Sequence, residues 1–370
     1  MPASGPAAAP LPAGALTLGV EEEFLLLDPV TGQNAPVMPK VVAALPEAAR
    51  AQSRVEFRLS MLEMVTPVCA DLAGLDRELT GLRRAAADAA AEAGALLVPV
   101  GATPVAEPVR EPADDPRFRA ITRHYGPIAQ DAAVCGCHVH VGVPDRETAV
   151  RVCTAMRPWL PVVQALTANS PFYAGADTGH ASWRSLQLTR WPALGPIPAF
   201  ASGADYDRTI ATLVASGAML DESMILWYAR PSATYPTVEV RVADVCATPA
   251  DTVLLAALIR GLVATILDNP EPPPPIADHI LEAAHWNAAH TAMEGTLLDP
   301  RTGEARPAWD LVRDLVTLVT PALDRLGDSE YVRAGLDRIR SEGTGAARQR
   351  RLLADEGSIP AAMAAFAVPA

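Results

Sequence analysis

The stretch CGCHVHVGVPD, Cys135 to Asp145, places two thiols and two imidazoles within six residues. Read as a strand, its side chains alternate between two faces. His138 and His140 then share a face with Gly136 and Gly142. Cys135, Cys137, Val139 and Val141 take the opposite, apolar face. Read as a metal knot, it offers only a CxC, a poor four-ligand zinc signature without a CxxC pair. Pro144 and Asp145 then turn the chain, and Asp145 is placed to cap a helix over the following RETAVRVCTAM.

Two other segments carry the same pattern. In GVEEEF, Glu21 and Glu23 share a face while Glu22 points away with Val20 and Phe24. In TVEVRV, Glu239 and Arg241 share a face with Val238, Val240 and Val242 behind them. Any one such strand is commonly just solvated on its polar side. Three in one chain, each pairing an apolar side with acid, imidazole or guanidinium, point to a shared polar site. Clustered carboxylates repel one another unless protons or cations neutralise them. A set rich in carboxylates, with few imidazoles, suits Mg²⁺ or Mn²⁺ better than zinc. Glu56 and Glu63, around a strand or bend in SRVEFRLSMLEMVTPV, add two candidate carboxylates.

Around these strands, Asp71 caps a helix from about Leu72 to Ala93, with Leu72, Leu75, Leu79 and Leu82 at helical spacing. ALLVPVG reads as a short buried strand, and TPADTVLLAALIRGLVATILDN as a long buried helix. The Gly/Pro-rich and aromatic segment from Ala168 to Phe200 is long for a structureless loop, which marks a functional one. NPEPPPPIADH reads as a stiff connector, with helix from there to the end. Strands arriving in pairs between helices predict an α+β fold with a mainly antiparallel sheet.

The chain of 370 residues is half apolar and long enough for a large core. Its net charge of −13 argues against a nucleic-acid or anionic-membrane surface. No apolar run reaches the roughly 18 residues of a membrane span free of Gly, Pro or charge. The Pro/Ala-rich residues 1–14 read as a disordered tail rather than a secretory signal, so the cytoplasm is the expected compartment. Five scattered cysteines make no disulfide framework. Phosphoryl transfer is the chemistry that wants an acidic metal face with an arginine beside it. There is no P-loop sequence and no G-x-S-x-G.

GVEEEF, EFRLSMLEMVTP, CGCHVHVGVPD, ANSPFYAGADTGHASWRS and RPSATYPTVEVRVADVC follow one another in that order. Together they resemble the carboxylate–amine ligases of the glutamate–cysteine ligase type 2 family, which shares its sheet with glutamine synthetase. The resemblance spans Leu16 to Leu267 well and the C-terminal helices loosely. It implies one catalytic domain over residues 15–370, with C-terminal helices from about residue 276. Its sheet is curved, antiparallel and flanked by helices, and a homodimer is suggested. The implied activity is ATP-dependent amide formation through an acyl phosphate, with Mg²⁺ or Mn²⁺, typically joining glutamate to an amine such as that of cysteine.

By motif position, Glu21 joins His138 and Glu239 on one metal, and Glu23 joins Glu56 and Glu63 on another. Arg241 faces the transferring phosphoryl group. His140, Arg184 and Arg230 are further candidates for binding substrate or ATP, and the role of His290 stays open. Two other readings of the residues remain at this point. One is a guanidino-kinase-like phosphotransferase. The other is a non-catalytic protein holding zinc at CGCHVH.

Overall fold

The computed structural model describes residues 16–271 and 274–370. The tail assigned to residues 1–14 and two prolines of the 269–279 connector lie outside them. Seven strands form one sheet: β1 (Leu18–Leu27), β2 (Ser53–Arg54), β3 (Met61–Val65), β4 (Leu96–Val98), β5 (Gly136–Gly142), β6 (Ala229–Pro231) and β7 (Thr237–Asp244). Six lie in the order β6-β7-β5-β1-β3-β2, and every pairing is antiparallel. Leu25 pairs with both Met61 and Val98, so β4 continues the β5 side along the far half of β1.

The alternation holds where it was expected. Val20, Val139, Val141, Val238, Val240 and Cys137 turn their side chains into one buried core behind the sheet. Glu22 also points back, into a fully buried ion pair. Arg83 Nη2 lies 2.6 Å from Glu22 Oε1 and Arg83 Nε donates to Oε2 at 2.9 Å. Arg83 also donates to the carbonyls of Cys246 and Ala247. It is carried on the helix Leu72–Glu92, which the Asp71 side chain caps at the Gly74 N–H. One residue on the back of β1 thereby ties the sheet to that helix and to the end of β7.

The region Ser53–Val68 is not one strand. It holds β2 and β3 with a bend between them that carries Glu56. The helix Arg146–Met156 starts at Asp145, whose carboxylate accepts from the Thr148 N–H. The helix Pro249–Asp268 is long and apolar enough to cross a membrane, but most of it is buried inside the molecule against the sheet and other helices. The C-terminal part is helical from Asp278 except for a hairpin, Thr296–Asp299 with Glu304–Pro307. The sequence reading missed that hairpin. Its turn is held by Asp299, which caps Arg301 N and Gly303 N and pairs with Arg301 and Arg306.

Candidate active site

The register across the sheet brings the acidic and imidazole side chains together. Glu21 lies opposite His138 on β5, Glu23 opposite Glu63 on β3, and Glu239 opposite His140. His138 Nδ1 is 3.0 Å from Glu21 Oε2, and its Nε2 is 3.8 Å from Glu23 Oε1. Glu23 Oε2 accepts from the Gly136 N–H at 2.5 Å. His140 Nδ1 is held by the Thr237 hydroxyl at 3.0 Å. Its buried Nε2 sits 3.3 Å from Glu21 Oε1, out of line for a hydrogen bond and without another partner.

Three groupings have ligand atoms within 4.8 Å of one another: Glu23–Glu56–Glu63, Glu21–Glu63–His138 and Glu21–His140–Glu239. The first is the carboxylate trio expected from the motifs. The other two split the expected Glu21–His138–Glu239 set. Here His138 faces Glu21 from the Glu63 side, and His140 is the imidazole grouped with Glu239.

The carboxyls do not behave alike. Burial, then the charge of Glu23, pushes Glu56 up to about 8. Burial, then Glu56 and Glu21, raises Glu63 well above the carboxylate range. For Glu21, burial would raise the carboxyl, but the hydrogen bond with His138 and the closeness of His140 outweigh it and hold it well below the usual range. Glu239 is likewise held low, against burial, by Arg241 and Arg230. Burial and then Arg241 lower His138, which leaves a neutral ring with a lone pair to offer. Carboxyls that raise one another beside a neutral imidazole make a donor set that a divalent cation relieves.

Two cavities open on either side of this face. The larger, about 910 Å³, is lined by Glu21, His140 and Thr237 at one end, with Val65, Val143 and Tyr235 among its walls. The smaller, about 230 Å³, has Glu23, Glu56, His138, Arg184 and Arg241 at the sheet. Arg241 Nη1 pairs with Glu239 Oε1 and lies 3.4 Å from His138 Nδ1. Arg230 takes the other side of Glu239, at 2.8 Å from Oε2. It lines neither of the two cavities and acts here as a partner of Glu239.

Arg184 reaches the face by a route that the alternation could not reveal. Between Val240 and Ala243, β7 has two residues opposite the single His138 of β5. This bulge keeps Arg241 at the site. It also turns Asp244 to the Gly136 side, where strict alternation would send it to the apolar back. Buried Asp244 accepts from Asn169 N, Ser170 Oγ and Ser182 Oγ, and its Oδ1 is 3.7 Å from Arg184 Nη1. The guanidinium lies over Gly136, with its Nε buried and unpartnered.

A methyl at Gly136 would fall 2.9 Å from Arg184 Cζ. Gly136→Ala is therefore expected to cost about 1–3 kcal/mol of stability and to displace Arg184. A variant with an unchanged melting curve would show that the guanidinium moves aside freely.

The cysteines take no part. Cys135 and Cys137 are fully buried, on faces away from both histidines; burial raises the Cys135 thiol well above its ordinary value, and a hydrogen bond with Cys246, then burial, does the same for Cys137. The thiolate zinc reading of CGCHVH fails because its four side chains do not converge. His290 sits on the helix Asp278–Thr291, stacked on the exposed Trp286 and against His180. The sequence reading missed Asp244, Ser170, Ser182, Gln164 and Tyr228. The only signal was the unusual length of the segment that carries two of the serines.

Comparison with known proteins places this geometry in a lineage. The model of glutamate-cysteine ligase family 2 matches residues 17–365. The "Putative glutamate--cysteine ligase 2" of Salinispora arenicola is 62% identical over 341 residues, covering 91% of this chain and 90% of that protein. The "Putative glutamate--cysteine ligase 2-1" of Saccharopolyspora erythraea is 49% identical, covering 91% and 90%.

Among solved structures, the glutamate–cysteine ligase of Francisella tularensis in complex with AMP aligns with a TM-score of 0.69 at 13% identity, over 95% of this chain and 87% of that one. The bifunctional glutathione synthetase of Pasteurella multocida aligns at 0.68 and 15% identity, over 95% of this chain. This chain spans about half of that protein, 51% of its length. At such low identity these two likenesses speak for the fold alone. The family match and the close relatives settle the kinship: the chain belongs to glutamate–cysteine ligase family 2, and is an ATP-dependent carboxylate–amine ligase.

Proposed function

We propose that this enzyme forms a γ-glutamyl or related amide at the acidic sheet face, with ATP in the larger cavity and the acid in the smaller one. The observation that carries the reading is the placement of the carboxylate groupings beside two cavities, the smaller with Arg184 and Arg241 next to Glu23 and His138, the larger with Arg54 in its wall. Glu23, Glu56 and Glu63 would hold one divalent cation. Glu21 and Glu239 would hold a second with an imidazole, His138 by motif or His140 by proximity. The unpartnered Nε2 of His140 and the raised carboxyls of Glu56 and Glu63 fit such ions. Mg²⁺ or Mn²⁺ bound there supplies charge neutralisation for the nucleotide phosphates.

The side chains then have distinct tasks. Arg184, with an unused N–H, pairs with a carboxylate of the acid and orients it. Arg241 neutralises charge on the transferring phosphoryl group from the smaller-cavity side. A carboxylate oxygen of the acid attacks the γ-phosphorus, the bond to the bridging oxygen breaks, and ADP leaves. The amine nitrogen then attacks the acyl carbon, phosphate departs with the C–O bond, and the nitrogen gives up a proton. Apolar walls around the smaller cavity, among them Phe118, Ile121 and Trp191, limit loss of the acyl phosphate to water. The same reading has the enzyme working in the cytoplasm as a homodimer.

The test is ADP and phosphate release with glutamate and a panel of amines, cysteine included, with and without Mg²⁺. Release that needs acid, amine and Mg²⁺ together is the expected result. ADP formed without free phosphate, with a phosphorylated amine as product, would favour the phosphotransferase instead.

A further inference from the structure

A third cavity, about 470 Å³, lies beyond the smaller one and has no role in the reading above. The two share Ser185, Leu194 and Tyr228 as a common wall. On the far side of that wall the Tyr228 ring packs, tilted and 4.4 Å between ring centres, against His285, which is only 3% exposed. His285 Nδ1 is 2.5 Å from Gln164 Oε1. The Gln164 amide nitrogen donates onward to Ser185 Oγ at 2.9 Å, so its oxygen must accept and Nδ1 must carry the proton. The chain continues from Ser185 to Ser182 at 2.8 Å, and from Ser182 to Asp244 Oδ1 at 2.9 Å, the carboxylate beside Arg184. Its direction leaves His285 Nε2 as a bare acceptor, buried and without a partner.

The rest of the lining holds one carboxylate, Glu282, and a second imidazole, His279. Glu282 and the exposed Trp286 stand one turn apart on the helix Asp278–Thr291, with His285 between them. Leu186, Pro196 and Ala283 add apolar surface. Among the described residues that line this cavity there is no arginine or lysine. The smaller cavity is the reverse, with Arg58, Arg184 and Arg241 in its walls. A lone-pair acceptor, a carboxylate and an indole face are the groups that recognise an ammonium ion. A site without a fixed cation leaves a ligand carboxylate unpaired and disfavours it.

We propose that the 470 Å³ cavity behind Tyr228 binds the acceptor amine, and that it selects a primary amine with an apolar body and no carboxylate of its own. The nitrogen rests at the Tyr228–His285 wall, next to the acid's cavity, and the body lies over Trp286. This rests on the ligase reading and narrows its second substrate.

Two experiments separate the two levels. Hydroxylamine has no body to fill the cavity and traps the acyl phosphate as a hydroxamate, so glutamate hydroxamate with ATP and Mg²⁺ tests the ligase reading alone. The further proposal is tested with cysteamine against cysteine, which differ by one carboxylate, and by calorimetric titration of 2-phenylethylamine into the ATP-free protein. Cysteamine is expected to show a kcat/KM at least tenfold above cysteine. Glu282→Gln and Trp286→Ala, both at exposed positions, are each expected to weaken 2-phenylethylamine binding three- to tenfold. The double variant should lose tenfold or more, and the KM for cysteamine should rise in step. Cysteine equal to or better than cysteamine, no heat from 2-phenylethylamine, or unchanged binding in the double variant would each overturn the proposal.

Discussion

Arg241→Ala is expected to lower ATP turnover by a factor on the order of 10³ to 10⁵, the range an arginine contributes when it neutralises a transferring phosphoryl group. The guanidinium is half-buried at the sheet, where Glu239 outweighs the cost of burial and keeps it firmly charged. It stands between Glu239, His138 and the smaller cavity, so its charge is delivered at a fixed place in a site of low dielectric. The fold should survive the change, because Glu239 keeps both of its hydrogen bonds to Arg230. Arg241→Lys keeps the charge but loses the planar fork, and should recover only part of the rate. Steady-state kinetics with a melting curve checks both variants. Turnover within tenfold of the wild type in Arg241→Ala would remove Arg241 from the chemistry.

Glu239 itself is a less clean probe than its sequence context suggests. The structure gives its carboxylate two arginine partners, so any variant there also strands buried positive charge.

The largest effect on stability is expected from the back of the sheet. Arg83→Met should destabilise the protein by about 3–5 kcal/mol, because it leaves the Glu22 carboxylate buried and unpaired. Two carbonyls, of Cys246 and Ala247, and the Thr252 hydroxyl lose the same donor. The double variant Glu22→Gln with Arg83→Met should regain part of the loss. It removes the stranded charge but not the unsatisfied carbonyls. Denaturant unfolding measures this directly. A loss under about 1 kcal/mol in the single variant would mean that water reaches Glu22 and that the pair behaves as a surface one.

Much of the active face was legible before any coordinates. Glu21, Glu23, His138, His140 and Glu239 all sit on the predicted side of their strands, and Cys137 sits on the other. Glu56 and Glu63 were candidate carboxylates that the resemblance joined on one metal, and the two do meet. The C-terminal hairpin was missed because its strands, TLLD and EARP, are four residues each, too short for an alternation to be read.

The sequence by itself determined which side chains each strand shows to the site. A strand's two faces follow from backbone geometry at neighbouring residues, and Val and Cys mark the apolar side without help from the rest of the chain. Tertiary structure decided everything that depends on register and on distant partners. The bulge at Arg241 and Val242 depends on how β7 aligns with β5, about 100 residues earlier in the chain. It alone brings Asp244 round to Arg184. The grouping of His140 with Glu239, and the chain from His285 through Gln164 and two serines to Asp244, join segments that local spacing does not relate. The cavities follow the same rule, because their walls come from loops and helices whose approach is set by packing.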